Sequence, residues 1–211
     1  MALIQANFMS GALMRTVPVN IILPVDKLAF PGAVSKEITA YKTLYLLHGI
    51  FGNYTDWVSG TNIQRWAEER DLAVVMPSGD NMFYVDQKES LNYYGEFIGR
   101  ELVELTRRAF PLSRRREDTF IAGLSMGGYG AIRNGLKYHD TFGCIAGLSS
   151  AMIVDGLEAR TNDTPNLIER KDFAERIFGN LARAKDSDMN PKWLVEKLRE
   201  RVRKERAASQ E

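Results

Sequence analysis

Ser125 stands in Gly123-Leu124-Ser125-Met126-Gly127, a G-x-S-x-G run set between the apolar stretch Thr119-Phe120-Ile121-Ala122 and a helical pattern that begins at Met126. The chemistry such an arrangement serves is acyl transfer through a serine nucleophile. A turn from strand to helix lifts the hydroxyl clear of the sheet in a strained backbone conformation, and the positions two before and two after it tolerate almost no side chain. Gly123 and Gly127 supply that room. The helix N-terminus points unpaired N–H groups and its positive dipole end at the serine, which favours an anion there. The backbone N–H of Met126 is therefore expected as one donor of an oxyanion hole. A second donor normally comes from the loop after an earlier strand. Leu46-Leu47-His48-Gly49-Ile50-Phe51-Gly52 is the candidate loop, with the Ile50 N–H as donor and His48 and Gly49 as supporting residues.

A serine hydroxyl is a weak nucleophile without a neighbouring base, and the chain contains two histidines. In folds that use G-x-S-x-G the chain order is nucleophile, acid, histidine. His48 precedes the serine and is read as structural. His139, in Leu136-Lys137-Tyr138-His139-Asp140, lies at the far end of the helix, roughly 15–20 Å from the elbow at 1.5 Å per residue. It reads as a helix-end residue whose charged form the C-terminal dipole favours. Asp155, Asp163, Asp186 and Asp188 follow the serine, but none follows a strand-like run, so neither acid nor base is assigned. Trp57, Phe83 and Tyr84 could line a small apolar pocket, although aromatic residues more often belong to a core. Asp56, Asp80 and Asp86 either order the loops of the site or sit as solvated turn residues.

The elements that must position these groups alternate between strand-like and helix-like, the pattern of a mostly parallel sheet with helices on both faces. The fold class is thus α/β. Met1 to Leu23 reads as one or two leading strands joined through Ser10-Gly11, and Leu28 to Glu37 as a loop. Buried strands are predicted at Lys42–Leu47, Leu72–Met76, Thr119–Ala122 and Ile145–Leu148, each a short apolar run. Helices are predicted at about Asn62 to Arg70, Asn92 to Phe110, Met126 to Leu136, Asp172 to Ile177 and Pro191 to Arg203. The last twenty residues are rich in Lys, Arg and Glu and read as a solvated helical tail.

With 211 residues, 45% of them apolar, the chain has the size of a single domain. A formal charge of +1 gives no broad field to steer nucleic acid or an anionic membrane to the surface. A small, weakly polar ligand fits that balance better. Neither a secretory leader nor a membrane-spanning run is evident, which leaves the cytoplasm as the expected compartment. The single cysteine, Cys144, is expected to be a buried small hydrophobe.

Four segments together carry a family resemblance: Tyr45-Leu46-Leu47-His48-Gly49-Ile50-Phe51-Gly52-Asn53-Tyr54-Thr55-Asp56-Trp57; Val75-Met76-Pro77-Ser78-Gly79-Asp80-Asn81 with Phe83-Tyr84; Tyr94-Gly95-Glu96-Phe97-Ile98; and Ala122-Gly123-Leu124-Ser125-Met126-Gly127-Gly128-Tyr129-Gly130-Ala131. In this set the chain resembles the bacterial tributyrin-esterase branch of the esterase D family, related to S-formylglutathione hydrolases, feruloyl esterases and mycolyltransferases. The resemblance implies an α/β-hydrolase fold and hydrolysis of esters with small acyl groups through an acyl-enzyme on Ser125, with no metal or organic cofactor. It also implies two further strands beyond Asn190-Pro191, with loops that deliver a catalytic Asp and His. This sequence shows no such strands, so the C-terminal part of the fold is expected to be missing and activity to be weak. The alternative is a catalytically inactive hydrolase-like domain that binds an acyl ligand. Beyond the small acyl ester, the partner left open is a second chain, as in a homo-oligomer, which could supply the absent groups across a sheet edge.

Overall fold

In the computed structural model, which describes residues 1–27 and 38–208, the first strands form an antiparallel pair, Ala2–Ser10 (β1) and Arg15–Leu23 (β2). β1 alternates half-buried and exposed residues, as a strand with one solvated face must. β2 is buried along its second half because it lies between β1 and Leu72–Pro77 (β4). Lys42–Leu47 (β3), β4, Thr119–Leu124 (β7) and Cys144–Leu148 (β8) are parallel neighbours, and the six-stranded sheet runs β1-β2-β4-β3-β7-β8. The expected loop over Leu28 to Glu37 lies outside the described residues.

The connections place helices on both faces of this mostly parallel sheet, as the sequence pattern predicts. Between β3 and β4 run Asp56–Gly60 (α1) and Ile63–Glu69 (α2), which cover one face; Trp57, Ile63 and Ala67 pack there on Leu46, Val74 and Ala122. Met126–Lys137 (α5), between β7 and β8, covers the other face. So do Lys171–Phe178 (α6) and Leu181–Ala184 (α7), whose Ile177, Phe178 and Leu181 join its core. β4 and β7 thus flank β3 on opposite sides, with their crossovers on opposite faces. This switch of direction opens a crevice at the C-terminal ends of the strands.

Three expectations need correction. The helix predicted from Asn92 starts at Tyr94, because Asn92–Tyr93 (β6) pairs antiparallel with Asp86–Gln87 (β5). From Tyr94–Glu96 (α3) it passes through a π-helical turn at Phe97–Glu101 before Leu102–Ala109 (α4). The C-terminal helix Pro191–Ala208 (α8) is more than a solvated tail, since Pro191 and Leu194 are buried at its start, though Arg199 to Ala208 are exposed. Cys144 is exposed, as is the whole of β8. As an edge strand β8 meets β7 on one side only. α5 contacts it at Ile145 and Gly147, and nothing among the described residues covers the alternate positions.

Candidate active site

β7 and α5 meet at Ser125, whose φ of 54° and ψ of −112° lie in a region that residues with a Cβ seldom occupy. Three hydrogen bonds hold that conformation. The Ser125 N–H donates to the Leu148 carbonyl at the end of β8 (2.8 Å), and the Ser125 carbonyl accepts from the N–H groups of Tyr129 and Ala151, both at 3.0 Å. The flanking glycines are required by contact with backbone. A Cβ on Gly123 would lie 2.4 Å from Gly127, and one on Gly127 would lie 2.3 Å from the Leu47 carbonyl oxygen. The start of α5 therefore rests directly on the end of β3.

The loop after β3 passes beside the serine, since a Cβ on Gly49 would stand 3.8 Å from that of Ser125. Its path is fixed from several sides. The Gly52 N–H donates to the Gly49 carbonyl (3.2 Å), and Phe51, at φ 66°, donates its N–H to the Asn81 side-chain oxygen (2.8 Å). Ile50, half-buried against the larger core, lies between these two anchors. Among the described residues no hydrogen bond engages the N–H of Ile50 or of Met126. At the first helical position that is what helix geometry dictates.

His48 is built into the structure. Its Nδ1 bonds the Gly49 carbonyl (2.7 Å) and its Nε2 accepts the Gly79 N–H (2.8 Å), so both ring nitrogens are committed to backbone. Burial pushes its pKa below the ordinary histidine value, although the bond to the Gly49 carbonyl and the charges of Asp56 and Asp80 oppose the shift. The neutral ring that results can donate at Nδ1 and accept at Nε2 together. His139 sits beyond the far end of α5, bonded to the Leu136 carbonyl and to Arg201.

Phe83 and Tyr84 belong to the core, the reading that residue type favours over a pocket wall. Both are almost fully buried in the larger core, Phe83 edge-on to Tyr129, at positive φ values of 52° and 56°. Tyr84 instead donates its hydroxyl to the His48 carbonyl (3.0 Å) and so steadies the loop that leads to Ile50. Trp57 is half-buried on the other face of the sheet, its indole N–H donating to the Leu47 carbonyl (3.2 Å). A cleft of about 380 Å³ does open beside the loop, but Phe51, Gly52, Asn81 and Met82 form one wall and Phe173, Arg176 and Ile177 the other.

The aspartates divide by role. Asp56 accepts the Asn53 N–H (3.1 Å) and Asp80 accepts from Arg15 and the Tyr94 hydroxyl, both at 2.6 Å, so they order loops. Asp86 and Asp188 clasp Arg133, a guanidinium with no exposure, at 3.3 and 2.9 Å, and Lys137 bonds both carboxylates. Burial works to raise the Asp86 pKa, yet Arg133, Lys137 and the Glu96 N–H together hold it below the usual value. Asp155 is taken by Lys192 and Asn190. Sequence reasoning missed Asn81, Arg133 and the anchoring role of Tyr84. Only Arg133 left a signal, a charge in the middle of α5 among small and apolar residues. Among the described residues no three His, Cys, Asp or Glu side chains gather as a metal-binding group, and no helix is long and apolar enough to cross a membrane.

Comparison with known proteins now bears on the site. A family model named Esterase, described as "Putative esterase", matches residues 10–209. An acetyl esterase of Caldicellulosiruptor saccharolyticus is 44% identical over 200 residues, which cover 95% of this chain and 75% of that protein. Among solved structures, the fluorophosphonate-binding serine hydrolase FphF of Staphylococcus aureus, substrate bound, matches with a TM-score of 0.75 and 33% identity, over 93% of this chain and 72% of its own. The S-formylglutathione hydrolase FrmB of the same organism, as apoenzyme, gives a TM-score of 0.74 and 34% identity, over 93% and 73%.

Proposed function

The chain belongs to the Esterase family of α/β-hydrolases, and from that premise we propose that Ser125 is the nucleophile with which this serine carboxylesterase takes up short-chain acyl groups. The observation that carries the reading is the left-handed Ser125 backbone at the β7–α5 junction, with the Gly49–Gly52 loop packed beside it. The Ser125 oxygen attacks the ester carbonyl, and the tetrahedral oxyanion is held by the N–H groups of Ile50 and Met126. Collapse expels the alcohol and leaves an acyl-enzyme, which water hydrolyses. Acetyl as the acyl group is supported by the name of the 44% identical relative.

Proton transfer is the weak step in this chain. His48 has both ring nitrogens bonded to backbone and His139 lies at the opposite end of α5, so neither is placed to activate the hydroxyl. Oxyanion donors and binding alone leave some rate over water, orders of magnitude below a complete site. The test is release of nitrophenol from a short-chain nitrophenyl ester by the chain and by Ser125→Ala. Slow turnover that disappears with the substitution supports the assignment. Equal rates for both proteins would remove Ser125 from it.

A further inference from the structure

Resting on the assignments of Ser125 and the Ile50 N–H above, we propose that the turn of residues 79–82 after β4 is the positioning element of the oxyanion hole, aiming the Ile50 N–H through two side chains, His48 and Asn81. His48 carries the first constraint. The Gly79 N–H can only donate, so the Nε2 atom that it bonds at 2.8 Å is the unprotonated one. The hydrogen of the neutral ring is therefore on Nδ1, which donates it to the Gly49 carbonyl at 2.7 Å. The Gly52 N–H reaches the same carbonyl at 3.2 Å. With its oxygen bonded twice, the peptide between Gly49 and Ile50 is held in place, and in a trans peptide the N–H points opposite to the C=O. The direction of the Ile50 N–H thus follows from which nitrogen of His48 the turn engages.

Asn81 holds the next peptide. Its side-chain oxygen accepts the Phe51 N–H at 2.8 Å, and among the described residues no other hydrogen bond engages the peptide between Ile50 and Phe51. Phe51 is the third residue of the hydrogen-bonded turn from Gly49 to Gly52 and has a φ of 66°, where glycine is the usual occupant. Phenylalanine favours the turn with negative φ at that position, in which the central peptide is flipped over. The bond to Asn81 holds the peptide against that flip, and with it the ψ of Ile50.

The turn is itself anchored on several sides. The Ser78 N–H just before it donates to the Pro18 carbonyl of β2 at 3.1 Å, and the Met82 N–H closes the turn on the Gly79 carbonyl at 3.4 Å. Asp80, at a φ of 45°, accepts from Arg15 and from the Tyr94 hydroxyl. The Tyr84 ring fills the space between Gly79 and Gly130 and leaves no room for a Cβ on either. Gly130 belongs to α5, the helix whose first residue supplies the Met126 N–H. The turn, the loop and the helix are thereby fixed relative to one another, as a preorganised pair of oxyanion donors requires.

The test is Ser125-dependent hydrolysis of nitrophenyl acetate with kcat and KM separated, alongside phosphonylation of Ser125 by a fluorophosphonate, followed by intact mass over hours so that slow rates are read. Asn81→Ala should lower kcat about tenfold and His48→Ala about a hundredfold, with KM changed less than about twofold, as for loss of a contact made only in the transition state. His48→Asn, whose side-chain amide can place an N–H near the position of Nδ1, should recover most of the His48→Ala loss. Phosphonylation rates should follow the same order. Urea midpoints read folding separately. Lower midpoints with an unchanged rate per folded molecule, a loss confined to KM, or His48→Asn no faster than His48→Ala would each overturn the proposal. Ser125-dependent rates indifferent to both His48 and Asn81 would overturn it alone and leave the nucleophile standing. Rates unaffected by Ser125→Ala, or no labelling and no turnover in the unsubstituted chain, would remove the nucleophile assignment and this proposal with it.

Discussion

At Ser125 a residue with a Cβ is held at positive φ by hydrogen bonds from three directions. Strain of that kind costs about 1–3 kcal/mol and persists only where the surroundings over-determine it. His48 sits beside this point as the fixed pivot of the Gly49–Gly52 loop, and its neutral state has a consequence for stability. Its pKa is below the ordinary value in the folded chain, so as pH falls the unfolded chain takes up the proton first. The stability fully present above about pH 6.5 therefore declines as pH drops below it, levelling once the folded ring also protonates. Asp86, also held low, adds a further loss near the ordinary carboxylate range. Urea midpoints measured at pH 7 and at about pH 5 should differ, and His48→Gln, destabilised overall, should lose most of that difference. An unchanged slope in the variant would assign the pH dependence to other groups.

α5 shows how one element serves both chemistry and anchoring. Its N-terminus faces the serine, and its middle carries Arg133, with no exposure, bonded to Asp86, Asp188 and the Asn134 side chain. That cluster ties α5 to the β5 segment and to the chain just before α8. Removing one partner of a buried charge pair leaves the others uncompensated, at about 3–5 kcal/mol. Arg133→Met, close in volume, should cost that much in a denaturant titration. A loss below about 1 kcal/mol would mean that Lys137 alone satisfies both carboxylates. In the helix between β6 and β7 the π-helical turn sets Phe97 and Leu102, five residues apart and both fully buried, against the core. Glu101, at the end of that turn, accepts the Gly11 N–H at 2.6 Å and so fixes the β1–β2 connection.

Across the whole molecule the larger core joins the sheet, α5, α6 and α7, and the aromatic cluster Phe83, Tyr129 and Phe178 is its junction. The layer formed by α6 and α7 is otherwise polar on its outer side, so its attachment depends on a few apolar contacts. Phe178→Ala should cost about 3–5 kcal/mol, as for other large core truncations. It should also speed proteolysis between residues 160 and 190, where local opening is cheapest. Cleavage no faster than in the unsubstituted protein would mean that α6 and α7 are held chiefly by polar contacts. At the edge of the sheet, β8 stays exposed among the described residues.

The sequence by itself determined the family and the elbow. Gly123 and Gly127 flank a serine between an apolar run and a helical pattern, and an added Cβ at either would stand 2.3–2.4 Å from neighbouring backbone, which is why a side chain is not accommodated there. β3, β4 and β7 were legible for a similar reason, since a parallel strand with both faces covered is a nearly unbroken apolar run. What depends on neighbours was not legible. The spelling Cys144-Ile145-Ala146-Gly147-Leu148 matches that of a central strand, and only its place at the sheet edge makes it exposed. Phe83 and Tyr84 could as well have faced a ligand. Their burial follows from a turn with two positive φ values that folds both rings into the core. Composition and spacing record which groups can do chemistry, whereas exposure is a property of pairs of elements that the chain brings together only on folding.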